Sequence, residues 1–390
     1  MEEINVQHLP FELTKEFLEE IRQLITDQAK DEIIAKIEDL FPADITTILY
    51  ELNGEESKYL VQLLDTKIAA AIISALDTDD RKKFLKNFTS KEISEYINIV
   101  DSDDAVDILN EQPVRIREEV IALLKDREQA RFIIDLMHYD EDCAGGLMQK
   151  ELIKINVSQT VTECVEEIRR QAEDVEKVYS VYVVDDDGIL LGTVSLKKII
   201  LAKRGSKIQD VFDSDEIVSV PTYMSGEEVA DIMQKYDLEA IPVVNIQGRL
   251  LGRITIDDVV DIIKEEADKD FQLASGISEK VESNSSVWRI SRARLPWLLI
   301  GMLGGILSAQ VISKFEGNIS HLPALAFFIP LITAMGGNVG VQSSAIVVQS
   351  LARGNDPFDS IISKVGKEAL VGIVNGLLCS SLIFGIAYLA

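Results

Sequence analysis

Cysteine and histidine are scarce: Cys143, Cys164 and Cys379, with His8, His138 and His321, are all that 390 residues contain. Three scattered cysteines exclude a disulfide framework and a CxxC motif, which fits a reducing compartment for the acidic part of the chain. Three dispersed histidines exclude a His-rich zinc site. Basic charge is short as well. The 39 Lys and Arg face 66 Asp and Glu, leaving a net charge of −27. A phosphate backbone would be repelled, so no nucleic acid is expected as a partner. The N-terminus, MEEINVQHLPFEL, lacks the basic and apolar regions of a signal peptide. With no P-loop, no GxSxG and no His/Cys/Ser constellation, the chain does not read as an enzyme.

The charge is unevenly placed. Residues 281–390 hold five acidic and seven basic side chains, whereas residues 1–280 hold 61 and 32. The nearly uncharged part contains three apolar runs, 295–313, 322–352 and 369–390, without one Asp or Glu among them. A bilayer core about 30 Å thick takes roughly 20 helical residues, so each run is long enough to cross it. Arg289, Arg292 and Arg294 precede the first run, and Arg353, Lys364 and Lys367 lie between the second and third. Cations mark the cytoplasmic side, which places the acidic domains in the cytoplasm and the last residue outside, with Trp288 and Trp297 as interfacial anchors.

The second run is too long for one straight crossing, and its middle reads Pro330-Leu-Ile-Thr-Ala-Met-Gly336-Gly337-Asn338-Val-Gly340-Val-Gln342-Ser343-Ser344. Each glycine weakens a helix by about 1 kcal/mol relative to alanine. A Gly-interrupted span points to an ion or substrate path lined by freed carbonyls and neutral oxygens. Gly336, Gly337, Asn338, Gln342 and Ser343 are the candidate pore-lining residues. Close helix packing through small residues is the competing reading, and the two are compatible.

The cytoplasmic part has two sections. Residues 1–138 show helical spacing in short stretches such as Ile33-Ile34-x-x-Ile37 and Ile68-x-x-x-Ile72-Ile73. Cap signals recur at Asp31, Asn53, Thr66, Thr78, Thr89 and Asp101. The pattern predicts an all-α domain, a small solenoid of short helices. From about residue 150 a strand–turn–strand–helix unit occurs twice, at Val178–Ile200 and Ala240–Val260, with a period of about 60 residues. This duplication resembles a tandem pair of CBS domains of α+β structure. Their nucleotide pattern, Gly-x-x-Ser/Thr-x-x-Asp, is matched by Gly252, Thr255 and Asp258 in the second copy; the first has Lys198 in place of the acid. Thr255 and Asp258 are therefore nucleotide-binding candidates. Asp258 reads equally as a carboxylate stabilised at a helix N-terminus.

Taken in order, these pieces resemble the MgtE family of magnesium channels and transporters. The specific signatures are Tyr139-Asp-Glu-Asp-Cys-Ala-Gly-Gly-Leu-Met148, the acidic stretch Asp257–Asp270, and Pro330…Met335-Gly-Gly-Asn338. The resemblance implies a multi-domain chain: a helical N-domain (1–138), first and second CBS domains (139–204 and 205–270), a connecting "plug" helix (271–292) and a transmembrane region (293–390). It implies a homodimer in the cytoplasmic (inner) membrane, passing Mg²⁺ through a pore between subunits and sensing cytoplasmic Mg²⁺, with ATP as a modulator. The family has five membrane helices and carries its pore carboxylate on the fifth. This sequence stops at the end of the third and is expected to be a partial chain with its regulatory part intact.

By matching the family pattern, the metal candidates are Asp103 and Asp107 in the N-domain, Glu227, Asp237 and Asp258 in the second CBS copy, and Glu266 and Asp270 leading into the plug. Lys269-Asp270 stands where the family has a Glu-Asp pair, which weakens that site. Two carboxylates 4 Å apart repel by about 4 kcal/mol at an effective dielectric near 20. Crowded acids thus oppose a closed cytoplasmic assembly until cations bridge them, which predicts closure at high Mg²⁺ and opening at low Mg²⁺. For each acid the alternative is solvated surface. For the whole chain it is a CBS nucleotide or Mg²⁺ sensor that regulates a membrane partner without conducting.

Overall fold

In a computed structural model, the structure describes residues 11–390 apart from 173, 174, 176, 204, 215, 216, 280, 282–285, 322, 353–360 and 390. His8, Leu322, Arg353 and Ala390, invoked above, lie outside the described residues. The chain divides into two compact units, Met1–Val260 and Asp261–Ala390.

The first unit opens with ten short helices, from α1 (Lys15–Thr26) to α10 (Arg127–Leu136). Each packs mainly on the next but one: α3 (Pro42–Glu51) on α5 (Thr66–Ala75), α5 on α7 (Ser90–Ile97), α7 on α9 (Val114–Leu123), and α8 (Ser102–Asn110) on α10. The expected solenoid is present. Its seam is the apolar stripe of each helix, including Ile45, Ile48, Ile72, Ile73, Ile93, Ile97 and Leu109, all buried; each such burial stabilises by roughly 1.5–3 kcal/mol. The capping box of Thr89 with Glu92 forms as read, and Asn53, read as a cap alone, forms a second box with Glu56. Three caps differ. Ala29, Asp65 and Asp77 are the N-cap residues, and Asp31, Thr66 and Thr78 lie inside the first turn. At the latter two positions an Asp immediately precedes a Thr, and the stronger capping residue takes the place.

The duplicated section folds as two matching three-stranded sheets. In the first, β1 (Ile153–Asn156) pairs parallel with β2 (Val181–Val184), which pairs antiparallel with β3 (Leu190–Val194). In the second, β4 (Val220–Pro221), β5 (Ala240–Val244) and β6 (Leu250–Thr255) repeat the order. Even the bulges correspond, between Val183 and Val184 and between Val243 and Val244. The hairpin turns need a positive φ, supplied by Gly188 (79°) and Gly248 (81°). Those turns also join the copies, because Leu190 N–H donates to Gly248 O and Leu250 N–H donates to Gly188 O, at 2.9 and 3.0 Å. Helix α12 (Val161–Gln171) and α14 (Gly226–Tyr236) start at capping boxes, Thr160 with Glu163 and Ser225 with Glu228.

Between solenoid and sheets runs the Tyr139–Met148 junction, with a one-turn helix α11 (Ala144–Leu147). Ala144 and Gly145 N–H donate to Met224 and Thr222 carbonyls at 2.7 and 2.8 Å, which ties the junction to the second sheet. A β-carbon on Gly146 would lie 2.2 Å from the Asp140 carbonyl oxygen, so the motif's second glycine is required by close backbone approach.

Helix α13 (Leu196–Leu201) closes the first sheet repeat, and α15 (Ile256–Ala274) begins at the end of the second. The boundary expected at residue 270 therefore falls inside a helix. The expected plug is not one helix over 271–292: α15 ends at Ala274 and α16 (Val287–Ser313) begins anew. Gly276, at φ 77°, stops α15 in a left-handed cap, with Gly276 N–H on Leu273 O and Ile277 N–H on Gln272 O. Its lack of a side chain lets the Trp297 indole approach.

Pro296 lies inside α16 and interrupts the backbone ladder there. Near it, the Ser278 N–H (3.0 Å) and hydroxyl (2.9 Å) donate to the carbonyl of the buried Ala293. After α17 (Glu316–His321) and a 3-10 segment Pro323–Phe328 come α18 (Ile329–Ala352) and α19 (Ile361–Leu389). Among the described residues two helical segments are long and apolar enough to cross a membrane, Val287–Ser313 and Gly366–Ile386.

Replacing Gly146 by alanine should lower stability by about 1–3 kcal/mol, the usual penalty of overpacking against backbone that cannot yield. Thermal unfolding of the soluble part checks this.

Candidate functional site

The apolar face of α8 is fixed by Ala105, Val106, Ile108 and Leu109, all buried in the solenoid. That rotation leaves Asp103, Asp104 and Asp107 on the remaining face. At the other side stands Asp258 in the first turn of α15. Its Oδ2 accepts the Thr255 N–H (3.1 Å) and hydroxyl (2.8 Å), so it caps the helix, as one sequence reading held. Thr255 is the buried last residue of β6. A strand end and a helix start thus hold Asp258 rigidly, 155 positions from Asp103 in sequence.

The two carboxylates are close enough to titrate together. Burial pushes the Asp103 carboxyl well above the usual range, and the charges of Asp258, Asp104 and Asp101 add to this. Burial likewise raises Asp258, to about 6, against the opposing pull of the Thr255 hydrogen bonds; Asp257 and Asp104 push the same way as burial. Asp103 Oδ1 is buried and has no hydrogen-bond partner. An acceptor without a donor, beside a second carboxylate, is what a cation or its bound water would complete.

Asp107 is raised to about 7, by burial first; Arg81 opposes this, while Asp104, Glu141 and Glu111 reinforce it. Part of Asp107 remains in water although the surroundings are crowded, and solvent moderates that displacement. Arg81 is committed elsewhere: its Nε donates to both Glu111 oxygens, at 3.0 and 3.1 Å. Its remaining attraction for Asp107 is therefore long-range.

Of the seven expected metal ligands, the structure brings together Asp103 and Asp258, with Asp107 on the same helix as Asp103. Glu227 and Asp237 sit at opposite ends of α14, both exposed, so they do not share a site. Asp237 is the left-handed C-cap (φ 54°). In the second unit Glu266 pairs with Lys269 at 3.0 Å, and Asp270 follows on the same helix. Among the described residues no three or more His, Cys, Asp or Glu side chains converge as direct ligands. The geometry suits an ion that keeps most of its water and touches one or two carboxylates, as Mg²⁺ does, and does not suit a dehydrated structural metal. Sequence reasoning passed over Asp104 and Asp257. Only their position beside Asp103 and Asp258 marks them.

The nucleotide pattern is partly committed to packing. A β-carbon on Gly252 would lie 2.7 Å from the Gln149 carbonyl, so the junction covers that glycine. In the first copy Lys198 reaches Asp213.

In α18 the expected break does not occur. The helix is continuous through Gly336, Gly337 and Gly340, and its carbonyls are not freed. Away from water the intrahelical hydrogen bonds outweigh the glycine penalty. At about 100° per residue the pore-lining candidates separate onto two faces, Gly336, Gly340 and Ser343 on one, Asn338 and Gln342 nearly opposite, and Gly337 between. They cannot all line one path. The expected absence of acids is also corrected. The span-like segment begins at Gly366 and includes Glu368, whose Oε2 accepts the Ser343 hydroxyl at 2.6 Å. An apolar count starting at Ala369 misses it by one residue.

Residues 40–142 match the family description "MgtE intracellular N domain", residues 144–205 and 208–265 match "CBS domain", and residues 329–390 match "Divalent cation transporter". A magnesium transporter MgtE of Thermus thermophilus is 32% identical over 90% of this chain and 79% of its own length. That of Bacillus subtilis is 28% identical over 89% and 76%. A crystal structure of the soluble part of a magnesium transporter covers 65% of this chain and 99% of its own, with a TM-score of 0.58 and 27% identity. The cytosolic domain of the Mg²⁺ channel MgtE in complex with ATP covers 63% and 97%, with a TM-score of 0.57 and 31% identity.

The raised carboxyls give docking of α8 against the second sheet repeat a definite pH dependence. The docked state binds more protons than the undocked one from the ordinary carboxyl value near 3.8 up to the raised Asp258 value near 6. In metal-free buffer docking should be strongest near pH 4 and weaken steadily through about pH 6. Small-angle scattering of the soluble part across that range checks the sign; expansion on acidification would contradict it.

Proposed function

Because the chain belongs to the MgtE family of magnesium transporters, we propose that it carries Mg²⁺ across the cytoplasmic membrane as a homodimer and closes when cytoplasmic Mg²⁺ is high. The observation that carries this reading is the buried Asp103 oxygen without a hydrogen-bond partner, on a carboxyl that feels the charge of Asp258. Without a cation the two anions repel, and α8 leaves the second CBS repeat. With hydrated Mg²⁺ between them the repulsion becomes attraction, and the solenoid docks. Asp107 and the neighbouring Asp104 and Asp257 hold further ions loosely, since each Mg²⁺ needs only one or two carboxylates. A ligand shifts such an equilibrium only as far as it prefers one state, and here the preference comes from carboxylates that are near each other in that state alone. Helix α15 carries Asp258 in its first turn and continues to Ala274. Further along it, Glu266 and Asp270 add weaker sites.

In the membrane part, the face bearing Gly336, Gly340 and Ser343 is the one proposed to line the path. A β-carbon at either glycine would meet open space, and Ser343 holds the Glu368 carboxylate. That arrangement supplies a smooth groove and one fixed negative charge for a hydrated cation. Asn338 and Gln342 belong to the opposite face. ATP enters as a modulator at the cleft near Thr255, competing for Asp258.

Proteoliposomes test this with Mg²⁺ uptake at varied Mg²⁺ on the cytoplasmic side. Wild-type uptake should fall as that concentration reaches the millimolar range. Asp103→Asn, Asp107→Asn and Asp258→Asn together should abolish the fall. A response to ATP alone, with none to Mg²⁺, would instead support a non-conducting nucleotide sensor. Separately, Glu368→Ala should reduce uptake about tenfold or more without altering the cytoplasmic response, since removing a fixed charge from a low-dielectric path costs several kcal/mol of ion stabilisation.

A further inference from the structure

One buried acid has no part in the scheme above. Glu151 lies just after the junction, well shielded from water, and it belongs to neither set of sensing carboxylates. Its Oε2 accepts the Ser102 hydroxyl at 2.7 Å and the Ser102 N–H at 3.3 Å. Ser102 is the first residue of α8 and is fully buried. The N-cap residue Asp101 makes no side-chain cap hydrogen bond. A carboxylate 49 positions downstream therefore terminates α8 in its place, where the helix dipole favours negative charge.

The neighbours of Glu151 extend this contact in both directions. Lys150 N–H donates to the Ser102 hydroxyl oxygen at 2.9 Å. The Lys150 ammonium, nearly buried, reaches Asp135 on α10 at 2.6 Å. Gln149 exchanges backbone hydrogen bonds with Arg253 on β6, at 2.8 and 3.0 Å, and its side-chain oxygen accepts from Arg253 Nε and Nη2 at 3.1 and 2.9 Å. Arg253 is two residues before Thr255, which holds Asp258. Three consecutive residues thus connect the start of α8 to the strand that carries the opposing carboxylate.

We propose that Gln149–Glu151 is a spacer that sets the separation of the two sensing carboxylates, with Glu151 as a positioning residue acting through Ser102. The inference rests on the sensing function proposed above. Asp103 follows Ser102 directly, so a clamp on Ser102 fixes where Asp103 can reach. Without the clamp α8 keeps its buried apolar face but its first turn frays, and the ion must order that turn as well as bridge the acids. Affinity for the ion is lowered by the fraction of time the turn is out of place.

The test uses the full-length protein in nanodiscs and Mg²⁺ alone as the probe. Hydrogen exchange of the Ser102–Asn110 amides is followed against Mg²⁺ concentration. Glu151→Ala and Ser102→Ala should each move the midpoint of protection upward, on the order of tenfold, as expected for loss of a hydrogen bond to a charged group. The double variant should move it no further, and Glu151→Gln, which keeps an acceptor oxygen, should recover most of the shift. Protection of α3 to α7 should be unchanged in all four. An unshifted midpoint in Glu151→Ala overturns the inference while leaving the sensor intact. Additive shifts, or loss of protection throughout the solenoid, also overturn it by showing a merely structural role. A wild type with no Mg²⁺-dependent protection removes the sensor reading, and the inference with it.

Discussion

Charge repulsion between side chains that the fold holds together governs the cytoplasmic part of this molecule. Removing a carboxylate from water is costly, and placing a second one beside it multiplies the cost. A protein can answer by protonation, by a basic partner or by a bound cation. Arg81 shows that the second answer was available, yet it pairs with Glu111 and stands off from Asp107. Among the described residues no donor meets the buried Asp103 Oδ1. On the proposed reading a cation relieves the repulsion there, and docking then reports the cation's concentration.

On the proposed sensor reading, the same logic accounts for weak individual sites. A sensor of a millimolar ion gains nothing from a tight, fully liganded cage, because such a cage would stay filled at every physiological level. Pairs of carboxylates on separate elements bind weakly, and their occupancy depends on whether the elements are docked. Burial of the apolar stripe of α8 within the solenoid matters as much as the acids. It gives the helix one rotation, so that Asp103 and Asp107 project away from Ala105 and Leu109. The CBS repeat contributes rigidity at the other side through the β6 end and the Thr255–Asp258 cap.

In the membrane part, helix continuity is the physical constraint. Backbone groups in an apolar medium hold their intrahelical partners even through Gly336 and Gly337, so the oxygens offered to an ion are side-chain oxygens. A hydrogen bond from the Ser343 hydroxyl to Glu368 joins α18 to α19.

Much of this was determined by local sequence. Periodicity revealed the short helices, and the repeat at Gly188 and Gly248 revealed the paired sheets, because turn geometry and apolar spacing act over a few residues. Net charge and apolar runs separated the cytoplasmic and membrane parts, since solvation depends on composition alone. Asp103 and Asp258 were legible as candidates only through family resemblance. Their proximity, the Glu151 clamp on Ser102 and the pairing of Ser343 with Glu368 were decided by tertiary structure. Each joins side chains between 25 and 155 positions apart, and nothing in a linear pattern records which of many exposed acids will meet another. The break after Ala274 and the continuity of α18 were decided there too, because a glycine's effect depends on whether its surroundings replace the lost hydrogen bonds. Sequence fixes which groups are present; packing selects the pairs whose mutual repulsion becomes a signal.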